Sequence, residues 1–198
     1  YYADQFGLSD KSGVEISESA PKVSDFDAIR SAIGQGTNNY STVGLARYVT
    51  TVANSGNCYN LSLLSKATDA DGNLIADYTP TLRNTVDLKQ STWDAIHQGM
   101  RKVVEDKDYY KDLTIQVAGK TGTAQENRKR ANHALFVCYA PYEQPQIAIA
   151  TRIAFGYASD YAAQVTKDIV KYYFKLEDES SLITGTAEST NVVQSAGD

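Results

Sequence analysis

The stretch Leu113-Thr114-Ile115-Gln116-Val117-Ala118-Gly119-Lys120-Thr121-Gly122-Thr123-Ala124-Gln125 decides how the rest of the chain is read. Apolar Leu113, Ile115 and Val117 alternate with polar Thr114 and Gln116, and a period of two predicts a strand with one buried face. Lys120-Thr121-Gly122-Thr123 then gives that strand an end made of a cation, two hydroxyls and bare backbone. Such an end can present an ammonium group, hydroxyl donors and backbone N–H along one line, which is what holding a carboxylate beside a reacting carbonyl requires. Gly122 lets a ligand come close to the backbone.

The same residues admit two other readings. Ala118-Gly119-Lys120-Thr121 has the form of a phosphate-loop tail, but Thr114 stands where that loop needs a glycine. Ala134-Leu135-Phe136-Val137 then reads as a strand where the loop needs a helix. The other reading is a plain hairpin strand that happens to end in Lys-Thr-Gly-Thr.

The totals set outer bounds. A chain of 198 residues suits one domain, or a large part of one, and can bury a core. A net charge of -5 argues against nucleic acid as the main partner. No apolar run approaches the roughly 18 residues that cross a membrane. The opening Tyr1-Tyr2-Ala3 reads as the inside of a longer polypeptide. Cys58 and Cys138 lie far apart with no metal-ligand spacing and are expected as buried free thiols.

Outward from the central stretch, residues 1–6 read as the last turn of a helix that Gly7 stops, and Val14-Glu15-Ile16 as a short extended piece. Residues 17–27 are polar and irregular, and Ile33-Gly34-Gln35-Gly36 implies a tight backbone path around one glutamine. Ser41 and Thr42 can cap a buried helix that runs to Asn54 and stops at Gly56. Residues 59–68 and 73–78 read as two strands around the Asp69-Ala70-Asp71-Gly72 turn. Residues 89–106 predict a helix with Trp93, Ile96, Met100, Val103 and Val104 on its apolar face and Ser91 as cap. Residues 126–130 form a hairpin tip, 131–139 a strand stopped by Pro141, and 146–155 a third strand. Residues 160–175 predict a closing helix with Tyr161, Val165, Ile169, Tyr172 and Tyr173 facing inward. The acidic, Ser- and Thr-rich residues 177–198 read as a mobile tail, leaving 1–176 as the folded domain. The fold class expected is α+β, an antiparallel sheet of the Lys120 strand and its two successors packed by helices.

With Lys120-Thr121-Gly122-Thr123 on a strand, followed by two antiparallel strands and a helix, the chain resembles the penicillin-binding transpeptidases. Their signature is S-x-x-K, S-x-N and K-T-G. The resemblance covers about residues 5 to 175. Phe6-Gly7-Leu8 with Ser12-Gly13-Val14, Ile33-Gly34-Gln35-Gly36, Leu45-Ala46-Arg47-Tyr48, Ala53-Asn54-Ser55-Gly56, and Asn132-His133-Ala134 with residues 136–141 carry it in the family's order. It is closest to the monofunctional, cell-elongation type. In this reading the chain is the C-terminal portion of the domain, and the nucleophile and second motif precede Tyr1. A sheet without its neighbours would then expose an edge and an apolar face, and marginal stability or self-association is expected.

The resemblance implies roles. Lys120 supplies charge to a substrate carboxylate and supports proton movement. Thr121 and Thr123 donate hydroxyl hydrogen bonds to it, and the Thr123 N–H is half of the oxyanion hole. Peptidoglycan stem peptides and β-lactams are the ligands, in an acyl transfer needing no metal or organic cofactor. Cell-wall elongation machinery is the partner, at the outer face of a bacterial membrane with the anchor elsewhere.

Internal substitutes for the absent motifs are poor. Ser19-Ala20-Pro21-Lys22 fits S-x-x-K, yet the pattern works by placing Lys one helical turn after Ser, and Pro21 sits inside that turn. Ser55-Gly56-Asn57 reads as a helix stop, and Ser189-Thr190-Asn191 lies in the tail. His133 reads as a structural histidine, His97 lacks triad partners, and Arg128-Lys129-Arg130 reads as a solvated tip. Two alternatives stay open: a complete small Ser–Lys acyl hydrolase using Ser19 and Lys22, and a non-catalytic wall-binding or β-lactam sensor module of the same fold.

Overall fold

The computed structural model describes residues 1–183 except Asp25 and Asn127. Its centre is a three-stranded antiparallel sheet of order β5-β6-β7, made of Ala118–Ala124 (β5), His133–Ala140 (β6) and Ile147–Ile153 (β7). β5 pairs with β6 from Ala118↔Tyr139 to Ala124↔His133, and β6 pairs with β7 from Ala134↔Ile153 to Ala140↔Ile147.

Both faces of the sheet are covered, and register assigns the residues. Gly119, Thr121 and Thr123 stand opposite Cys138, Phe136 and Ala134. That face packs on helix α5 (Ser159–Tyr173) through Val117, Phe136, Ile149, Ala162, Ala163 and Val170. Ala118, Lys120 and Gly122 stand opposite Tyr139, Val137 and Leu135. That face packs on α3 (Thr42–Ala53) and α4 (Gln90–Glu105) through Val49, Val52, Met100 and Tyr139. Each fully buried side chain of this size contributes about 1.5–3 kcal/mol. Gly119 is fixed by the packing, because a Cβ there would lie 2.4 Å from Phe136 Cζ and 2.9 Å from the Val137 carbonyl.

The other elements are short. They are α1 (Tyr2–Gln5), α2 (Ala28–Ala32), β1 (Asn57–Tyr59) paired with β4 (Leu82–Thr85), and β2 (Lys66–Thr68) paired with β3 (Leu74–Asp77). A 3-10 turn follows at Asp108–Tyr110, and α6 covers Glu179–Leu182. Gly7 stops α1 with φ +72. Ser41 caps α3, its Oγ accepting from the Gly44 N–H at 3.1 Å. Ser41 also donates to Glu18, which accepts the Ser12 N–H and hydroxyl at 2.8 Å each. Arg47, 0% exposed on α3, donates to the carbonyls of Gly7, Asp10 (2.8 Å) and Lys11 (2.9 Å) and to Asp10 Oδ1 (3.0 Å). One guanidinium thereby ties loop 7–11 to the helix that supports the sheet. Cys58 and Cys138 are buried free thiols, as expected.

Several expectations are corrected. Residues 113–117 alternate in burial but are not a strand, since β5 begins at Ala118. β6 ends at Ala140, before the cis-linked Pro141, so no ladder reaches back along 113–117. One hydrogen bond, Tyr142 N–H to Gln116 O at 2.8 Å, continues past it. Residues 59–68 are not one strand, because Tyr59 belongs with β4 and Lys66 with β3. Val14-Glu15-Ile16 bends, with Glu15 accepting from Ser62 and from Leu63 N–H. α4 starts at Gln90 without a side-chain cap, so Ser91 lies inside the helix. α2, capped by Asp27 accepting from Arg30 N–H at 3.0 Å, was not foreseen. In the stretch read as a tail, Glu179–Leu182 forms α6, and residues 184–198, with Ser189-Thr190-Asn191, lie outside the described residues.

Helix α5 turns the other way from the face expected of it. Tyr161, Val165, Ile169, Tyr172 and Tyr173 face outward, with Tyr161 58% and Tyr172 59% exposed. The inward face is Ala162, Ala163, Thr166 and Val170. Thr166 donates to Ala162 O at 2.7 Å, which leaves the Thr151 hydroxyl to donate to Thr166 Oγ1 at 2.6 Å. The helix carries two apolar stripes at the same period. The sheet already supplies Phe136 and Ile149, so close packing admits only the small stripe.

Candidate functional site

β5 is an edge strand, and its backbone defines what the edge offers. In an antiparallel ladder each residue turns both its N–H and its C=O toward the partner strand, or both away. The Thr121 carbonyl accepts from Lys120 Nζ at 2.9 Å, and the Thr123 carbonyl accepts from Gln35 Nε2 at 3.2 Å. Both carbonyls are therefore engaged from outside the ladder. Thr121 and Thr123 present N–H and C=O to the open side, while Lys120 and Gly122 pair with Val137 and Leu135.

The four residues read as a unit are adjacent, but their side chains divide. Lys120 and Gly122 project toward the α3 and α4 face, and Thr121 and Thr123 toward the α5 face, as the period of two requires. What Lys120 shares with the two threonines is the margin between the faces. Lys120 and Thr123 are exposed, and Thr121 and Gly122 are partly so. A Cβ at Gly122 would meet only Leu135 Cβ, at 3.4 Å, so packing does not demand a glycine at that place.

The hairpin beyond Thr123 is held by His133. Its Nδ1 accepts the Phe155 N–H at 3.1 Å, which leaves the ring proton on Nε2 to donate to Glu126 Oε2 at 2.8 Å. Arg152 Nη2 lies 3.3 Å from Nδ1. With both nitrogens engaged and the residue 7% exposed, this is the structural histidine the sequence suggested. His97 likewise bonds Val52 O at 2.8 Å. At the tip, the Arg130 guanidinium lies 5.4 Å from the Phe155 ring centre.

The internal Ser19–Lys22 pattern is not helical. Ser19 is exposed on irregular backbone, and Lys22 forms a two-way backbone bridge with Asn39. Ser55 and Gly56 close α3 with φ 57 and 114, as read. Two surface hollows, one beside Arg101 and Gln116 and one beside Glu15 and Tyr78, do not include residues 120–123. Sequence reasoning missed Gln35 at the site. The two glycines around it were the available signal.

An α+β fold with covered sheet faces and an open Lys-Thr-Gly-Thr edge can be set beside known proteins. The family model described as the penicillin binding protein transpeptidase domain matches residues 1–172, and the chain belongs to that family. Penicillin-binding protein 2B of Streptococcus pneumoniae is 27% identical over 195 residues, covering 86% of this chain and 28% of that protein. The peptidoglycan D,D-transpeptidase MrdA of Haemophilus influenzae is 30% identical over 169 residues, covering 74% of this chain and 26% of its own length. A solved structure of the pneumococcal protein 2B superposes with a TM-score of 0.77 at 26% identity, over 88% of this chain and 32% of that one. The chain thus spans less than a third of the length of these relatives.

Proposed function

We propose that this chain supplies the K-T-G side of a peptidoglycan D,D-transpeptidase site of the cell-elongation type. The observation that carries the reading is the outward N–H and C=O of Thr121 and Thr123 beside the Lys120 ammonium, on an edge strand that no other strand covers among the described residues. An extended peptide laid along that edge can pair with β5 as an added strand. Its terminal carboxylate meets Lys120 and the Thr121 and Thr123 hydroxyls. Its scissile carbonyl oxygen reaches the Thr123 N–H, one donor of an oxyanion hole.

The attacking oxygen is a serine from polypeptide outside these 198 residues, which also provides the second oxyanion donor. That serine adds to the D-alanyl-D-alanine carbonyl, its proton passes to the departing amine, and D-alanine leaves. The amine of a neighbouring stem peptide then takes the acyl group, and the serine regains its proton. A β-lactam stops at the acyl-serine ester. The open flank of β7 and the outward stripe of α5 are where the rest of the domain packs. The family resemblance further supports a membrane-anchored parent working outside the cell with wall-elongation partners. No helix among the described residues is long and apolar enough to cross a membrane.

Intact-mass analysis with benzylpenicillin tests this. The full-length protein is expected to gain one penicilloyl adduct on a serine outside residues 1–198. The 198-residue chain alone is expected to gain none, and Ser19→Ala in the full-length protein to change nothing. An adduct on Ser19 would establish the small Ser–Lys hydrolase instead. A full-length protein that never acylates would point to the non-catalytic module.

A further inference from the structure

We infer that Gln35 is a positioning residue that aims the oxyanion donor at the end of β5. The inference rests on the function proposed above and assigns a residue that reading leaves unused. Gln35 sits between Gly34 at φ +74 and Gly36 at φ +90, both in the left-handed region that favours glycine. Neither glycine is there for lack of room, since a Cβ at Gly34 meets nothing within 4 Å and one at Gly36 nothing nearer than 3.5 Å. The glycines serve the path of the backbone around Gln35.

That path is pinned on both sides. The Gln35 N–H donates to Arg30 O at 2.9 Å, and its C=O accepts from Asn38 Nδ2 at 3.0 Å. Asn38 is itself held, its Oδ1 accepting the Ser24 N–H at 2.9 Å and the Tyr40 hydroxyl at 2.8 Å. The side chain therefore leaves from a fixed point, and its amide reaches the Thr123 carbonyl across 88 residues of sequence.

Thr123 needs such a tie. It is the penultimate residue of β5, paired on one side only, and the chain turns away after Ala124. A strand end supported by a single ladder frays. The carbonyl and N–H of Thr123 point the same way, so a bond to the carbonyl restrains the backbone that directs the N–H. The carbonyl keeps a second lone pair for a substrate N–H. Only a donor can do this, and the Gln35 amide is a donor.

The test uses the full-length protein and benzylpenicillin, separating the dissociation constant from the first-order acylation rate by stopped-flow. Gln35→Met keeps length without a donor. It is expected to lower the acylation rate about tenfold, less than the loss of a whole oxyanion donor, and to leave the dissociation constant within about twofold. Gln35→Glu is expected to be slower than Gln35→Met at about pH 8, where the carboxylate cannot donate and repels the Thr123 carbonyl and the developing oxyanion. It should regain rate relative to Gln35→Met as the pH falls toward about 5 and the carboxyl takes up a proton. Unchanged acylation in Gln35→Met, or a Glu-to-Met ratio flat across that range, overturns the inference. If Gln35→Met is both slow and early to melt, the pH ratio decides between aim and folding. An unaltered protein that does not acylate would refute the transpeptidase reading itself, which keeps the two failures apart.

Discussion

Lys120→Ala in the full-length protein is expected to lower the rate of penicillin acylation by about a thousandfold or more, the scale that follows if its charge holds the ligand carboxylate and supports proton movement as proposed. The ammonium is exposed, and its hydrogen bond in this structure goes to the carbonyl of the next residue. Removing it should leave the melting temperature within about 1 °C, because exposed side chains outside special features contribute little to stability. Lys120→Arg keeps the charge but replaces a compact ammonium by a planar fork, and recovers part of the rate. Stopped-flow acylation beside a thermal melt checks both halves. Acylation of Lys120→Ala within a few-fold of wild type would remove this strand from the chemistry.

Arg47→Ala is expected to be the most damaging change to stability. The guanidinium is fully buried and satisfies three loop carbonyls and Asp10, and each buried acceptor left without a donor costs about 1–3 kcal/mol. Loop 7–11 lies near the surface and recovers some hydration. The net loss is then about 3 kcal/mol, or about 6–12 °C in Tm for a domain of this size. Arg47→Lys supplies one point charge in place of the fork and should restore less than half of the loss. Calorimetry of the full-length protein decides it. A shift below about 2 °C would mean the loop holds itself.

What could be read from the residues divides along physical lines. β6, α3 and α4 were legible because each shows one apolar pattern bounded by a stop, Pro141, Gly56 and the charged end after Val104 in turn, and β7 because its alternation is regular. The 113–117 segment misled because alternation reports burial, not pairing. Leu113 and Ile115 pack on the core without any strand beside them. α5 misled because two apolar stripes share one period, and only the tertiary gap chooses the smaller. β1 and β4 pair across a long interval with no local signal. At the candidate site, the residues offer Lys-Thr-Gly-Thr as a cation, two hydroxyls and bare backbone. Which way each group points depends on the ladder, and the contact with Gln35 depends on the fold of the whole chain.

The alternation along β5 has a consequence for isotope labelling. Thr121 and Thr123 hold their amide hydrogens outside the ladder, whereas those of Lys120 and Gly122 are shared with β6. In deuterated solvent the first pair should exchange faster than the second by roughly a hundredfold or more, since ladder amides open only with the local structure. A bound β-lactam should slow Thr123 selectively, and a peptide added as a strand should slow both Thr121 and Thr123. Four neighbouring amides, resolved by nuclear magnetic resonance, would thus report occupancy of the edge without any measurement of turnover, and equal exchange at all four would contradict the pairing described above.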